Sequence, residues 1–130
     1  MTYYQHKIIK NKSISEVRTE VESALKNEGF GILTEIDIQA TMKKKLGKDY
    51  APYLILGACN PVFADQVLEA EPHIGTLLPC NVTIREVGTG EYEVAIMDPA
   101  AAMSAVNNPK IETLAGEVRE KLIRVLESVE

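Results

Sequence analysis

The C-terminal part of the chain constrains the fold most tightly. Ile111, Leu114, Ala115, Val118, Leu122, Val125 and Val129 recur three or four residues apart. That spacing lays them in one stripe along a helix of about five turns. Asn108-Pro109 supplies a helix cap and a first helical residue just before it. So long a stripe needs a broad apolar surface to cover. The segment upstream offers one: residues 81–87 and 91–97 read as two strands joined by Gly88-Thr89-Gly90. Glycine there provides the positive φ of a tight hairpin. A hairpin followed by one long helix favours an α+β fold over a doubly wound parallel sheet. We expect a largely antiparallel sheet of about five strands, with two main helices on one face and short helices inserted.

The remaining elements fit that frame. Residues 3–10 read as a strand. Ser13 and Glu16 form a capping box for a helix over 14–28, whose Ile14, Val17, Val21, Ala24 and Leu25 recur at helical spacing and whose stop is Gly29. Residues 31–37 read as a strand, and Glu35 and Asp37 in it as solvent-facing. Asp37 caps a short helix over 38–46 with Ile38, Met42 and Leu46 on one face. The apolar run Tyr53-Leu54-Ile55-Leu56 opens a central strand ending at Cys59. Asn60-Pro61 then starts a helix that Pro72 ends, with Val62, Phe63, Val67 and Leu68 expected on its buried side. Residues 73–79 connect to the hairpin. Asp98-Pro99 opens a short alanine-rich helix before the last one.

The chain has 130 residues, which fits one domain, 1–130, able to fold without metal or disulfide staples. A net charge of −5 argues against nucleic acid as a partner, because phosphate binding needs a basic face. The basic run Lys43-Lys44-Lys45 reads as a solvated helix face. No apolar run reaches the length of a membrane span, and the first residues lack the apolar region of a signal peptide. The two cysteines therefore read as reduced thiols in the cytoplasm.

Those cysteines mark the candidate site. Cys59 lies in Gly57-Ala58-Cys59-Asn60-Pro61 and Cys80 in Pro79-Cys80-Asn81, each beside a proline at an element boundary. If their strands are antiparallel neighbours, the two Cβ atoms lie within about 10 Å; a disulfide would need them at about 3.8 Å and stays open at this point, in a compartment expected to be reducing. Cys59 also precedes a helix N-terminus, whose unpaired N–H groups favour a thiolate. Free cysteine equally serves as a small buried hydrophobe.

Further residues carry a resemblance. Lys45-Leu46-Gly47, the run from Tyr53 to Pro61, Gly75, and Leu77-Leu78-Pro79-Cys80 together resemble the family catalogued as domain of unknown function 302, over roughly Gly29 to Leu126. The resemblance implies a compact α+β domain with a curved antiparallel sheet in the order β-α-β-β-β-β-α, similar in outline to TATA-binding-protein-like folds. It implies no activity, and fold alone carries none.

Three functions follow as expectations. The first is a small binding domain whose cleft, lined by Cys59, Asn60, Pro79 and Cys80, takes a small ligand or a thiol-reactive species. Lys45 is a further candidate for an anionic ligand, or simply complements the end of its helix. The second is an enzyme using Cys59 as nucleophile or redox centre, with Cys80 as resolving thiol. The third is a homo-oligomeric accessory protein, a homodimer paired through the strand edge at residues 3–10. Cys59, His73 and Cys80 form a weak metal set whose spacing matches no standard zinc pattern. His6 reads as an ordinary exposed histidine. No carboxylate pair, serine elbow or phosphate loop stands out, and no cofactor is named.

Overall fold

The computed structural model of the chain describes residues 2–130. Five strands, β1 (Tyr4–Lys10), β2 (Gly31–Asp37), β3 (Tyr53–Cys59), β4 (Cys80–Gly88) and β5 (Glu91–Met97), form one sheet in the order β1-β5-β4-β3-β2. Every neighbouring pair is antiparallel. The helices are α1 (Ile14–Asn27), α2 (Ile38–Leu46), α3 (Pro61–Ala70), α4 (Pro99–Ala102) and α5 (Pro109–Ser128). Each begins at a side-chain cap: Ser13, Asp37, Asn60, Asp98 and Asn108 accept hydrogen bonds from the first turn. These side chains satisfy N–H groups that the helix itself leaves unpaired.

Two cores result. In the larger, α1 and α5 lie on one face of the sheet. Val17, Val21 and Leu25 of α1 and Leu122 and Val125 of α5 meet Leu56, Val82, Ile84, Val94 and Ile96 from the three central strands. Alternation along a strand explains why these are every second residue. In the smaller core, Val67 of α3, Ile74, Met103 and Ile111, Leu114 and Ala115 of α5 pack together. Thus α5 serves both cores, its first turns in one and its last turns in the other.

Some local expectations need correction. A 3₁₀ turn, Pro72–Leu77, occupies most of the segment expected to be a plain connection, and it buries Ile74. On α3, Val62 and Leu68 are exposed, whereas Val67 is buried. The helix packs mainly on α5 and the 3₁₀ turn, so a narrow side of it is covered. Similarly, α2 buries no residue, and Leu46 is 70% exposed, because the helix contacts the edge strand β2 and its neighbour β3 rather than the core. Asp37 caps α2, and Glu35 pairs with Arg18 of α1 at 2.7 Å. No helix among the described residues is long and apolar enough to cross a membrane.

Candidate functional site

A cavity of about 310 Å³ lies at the seam between the two cores. Phe30, Ala58 and Val118 reach it from the larger core, and Val67, Met103 and Ala115 from the smaller. Much of the remaining wall comes from the end of β3, the start of α3 and the segment entering β4, which bring Cys59, Asn60, Pro79 and Cys80. The four residues expected to line a cleft therefore line one space, and Lys45, the further ligand candidate, does not. Asn60 is the only polar side chain in the lining apart from the two thiols.

Asn60 is 9% exposed and tied into the backbone. Its Oδ1 accepts from the Phe63 N–H at 3.5 Å, and its Nδ2 donates to the Glu28 carbonyl at 3.3 Å. The cap of α3 thus also holds the turn that ends α1. Gly29 makes that approach possible: its φ is +85°, and a Cβ there would stand 3.1 Å from the Asn60 Nδ2. On the far wall Asp98 does a similar job. Its Oδ1 accepts from Ala100 N–H at 3.0 Å and its Oδ2 from the Arg119 Nε at 2.9 Å. This ion pair locks α4, which carries Pro99 at the cavity, to α5, which carries Ala115 and Val118.

The two thiols differ in setting. Strand pairing places Ala58 opposite Cys80, so Cys59 is one residue out of phase with that pair. Both sulfurs are free. Cys80 belongs to β4 rather than to the preceding loop and is only 6% exposed. Burial, aided by the neighbouring Cys59, pushes its thiol up to about 11. Cys80 is therefore a neutral, weakly polar wall at physiological pH. Cys59 is half-buried at the last position of β3.

Two other candidates lie elsewhere. Lys45 is in the last turn of α2, at the end of the sheet where Asp37 pairs with Leu54, whereas the cavity lies where Gly31 pairs with Cys59. The side chain of His73 is 96% exposed and meets Glu71 at 3.6 Å, away from the cavity. No group of three metal-ligating side chains exists among the described residues, which removes the Cys59, His73, Cys80 set. His6 is more engaged than expected: its Nδ1 lies 2.8 Å from the Glu93 Oε2. Sequence reasoning missed Phe30, Leu33, Met103, Ala115 and Val118 as cavity residues. Two of these belong to the α5 stripe, and periodicity assigns a stripe to a core without saying where that core is incomplete.

These features sit on a fold shared with other proteins. A family model described as domain of unknown function DUF302 matches residues 5–129, so the chain belongs to that family. The crystal structure of an uncharacterized conserved DUF302 protein from Bacillus stearothermophilus is similar over 100% of both chains, with a TM-score of 0.91 and 24% identity. That likeness shows the fold. No protein with a curated description matches the chain.

Proposed function

We propose that the chain is a binding domain that takes a small, largely apolar molecule into the seam cavity. The observation that carries this reading is the lining itself: apolar on every side, with a single amide and two thiols. Small-molecule sites have this makeup, and the volume falls at the lower end of their range. A ligand with an apolar body and one hydrogen-bonding group matches it, the polar group meeting Asn60 or Cys59. A neutral Cys80 suits such a ligand better than a thiolate would.

The rival reading, a cysteine enzyme, has less support. Nucleophilic cysteines work as thiolates beside a base or cation. The lining contains no histidine, carboxylate or amine, and the raised Cys80 thiol is a poor resolving group. Two free thiols fit a reducing compartment, which supports the cytoplasm as the site of action.

Alkylation tests the reading with 1-naphthol as the probe ligand. Cys59 reacts with iodoacetamide in the native protein, and added 1-naphthol slows that reaction in a saturable way. A rate unchanged across the whole soluble range of 1-naphthol would contradict binding at this cavity. Rapid alkylation persisting well below pH 7 would favour the nucleophile instead.

A further inference from the structure

The two main helices cover one face of the sheet, and the other face of β4 and β5 is covered by no element among the described residues. Val82 and Ile84 on β4 and Val94 and Ile96 on β5 are buried under the helices. Thr83, Arg85, Glu93 and Ala95 alternate with them and so face outward. A shallow groove of about 340 Å³ runs along this face. Three of the five tyrosines of the chain, Tyr3, Tyr4 and Tyr53, line it. Tyrosine and arginine are the residue types that anchor protein interfaces.

Strand register gives this face an internal symmetry. One row across the sheet reads Tyr53, Arg85, Glu93, Ile8, each the direct partner of the next. Consider a two-fold axis parallel to the strands, above the boundary of β4 and β5. It lays each row on a reversed copy of itself, so Arg85 meets a glutamate and Tyr53 meets an isoleucine. The adjoining row, Ile55, Thr83, Ala95, His6, then sets Thr83 against an alanine. Within one chain Arg85 bonds Glu93 through Nε at 2.8 Å, which leaves its two terminal nitrogens for another acceptor. About this axis β3 lies on the partner's β1 and β4 on its β5, with β2 outside the overlap. Four strands about 4.8 Å apart and seven residues long give a footprint of roughly 440 Å² in projection, smaller than the roughly 800 Å² per partner of a standard stable interface, so the charge pairing carries the specificity.

We propose that a second copy of this chain covers the open face, sheet against sheet, with Arg85 of each copy meeting the partner's Glu93. The face, rather than the β1 edge, is then where two copies join.

Charge reversal with mixing tests this by light scattering and sedimentation. The wild-type chain is a dimer. Arg85→Glu and Glu93→Arg each set like charges across the interface, weaken association roughly a hundredfold and leave monomers. An equimolar mixture of the two variants restores a dimer, because the glutamate introduced at position 85 of one chain then meets the arginine introduced at position 93 of the other. Within each variant chain the like charges remain, so rescue by mixing reports contact between chains. Thr83→Lys, which leaves the Arg85–Glu93 pair intact, also gives monomers, and circular dichroism verifies that every variant is folded. Wild-type monomer at about 100 µM would overturn the proposal. So would folded single variants that dimerise like wild type, as pairing through the β1 edge would allow, or a mixture of folded variants that stays monomeric.

Discussion

At Gly57 one added methyl group would collide with two neighbours. A Cβ there would stand 2.7 Å from the Pro79 Cγ and closer still to the Thr34 hydroxyl. The hydroxyl can rotate away, but the proline ring is rigid, so the loop bearing Pro79 must shift. Gly57→Ala should therefore destabilise the protein by about 1–3 kcal/mol, as overpacking does, and should enlarge or distort the cavity mouth. Urea denaturation checks the first effect; an unchanged midpoint would show that the loop gives way freely. Cys80 makes a second prediction, on pH. Its thiol is held at about 11 against an ordinary value of 9.0. Below pH 9 it is protonated in folded and unfolded chains alike and adds no pH dependence. Between pH 9 and 11 the unfolded chain releases its proton first, so stability falls as pH rises. The loss attributable to this group is about 2 kcal/mol by pH 10.5. Comparing wild type with Cys80→Ala at pH 8 and pH 10.5 isolates it, since the similarly raised Tyr92, also desolvated, is present in both. Equal pH slopes in the two proteins would contradict the buried thiol.

Helices α3 and α5 are the elements that make the site. Leu122 on α5 is 2% exposed in the larger core. Leu122→Ala should cost about 2–5 kcal/mol, measured by chemical denaturation, and a loss under half a kcal/mol would mean that the stripe does not seal the core. Asn60→Ala removes both the α3 cap and its tie to the Glu28 carbonyl, for about 1–2 kcal/mol. Faster amide exchange in the first turn of α3 than in α5 would mark the damage as local; uniform protection would deny Asn60 that role. These elements were legible because their signals are local. Ser13 with Glu16, Asn60 with Pro61 and Asn108 with Pro109 each announce a helix start, and the glycines at 88 and 90 announce the hairpin. Which side of α3 is buried was not legible. Val62 and Leu68 are apolar, but burial depends on what lies opposite, and α3 faces mainly α5 and a 3₁₀ turn.

The whole molecule is two cores sharing one helix, and the cavity exists because they do not quite meet. Four of its lining residues are those the proline-flanked cysteines single out in the sequence, because the two cysteines lie on adjacent strands. Lys45 lies outside this lining, in the last turn of α2, where a basic side chain complements the helix end. The distant walls, Phe30, Met103 and Val118, come from three separate segments that only the tertiary fold unites. The same geometry supplies the most direct test of ligand binding. Ala64 lies on α3 in the cavity wall and is half-buried, so Ala64→Phe should fill the space without opening the core. Amide NMR shifts are then followed in both proteins as 1-naphthol is added. Binding at the seam predicts saturable shifts at Phe30, Asn60, Phe63, Ala115 and Val118 in wild type and their loss in folded Ala64→Phe. Shifts that persist unchanged in the filled variant, or that never appear at these residues in wild type, would contradict it.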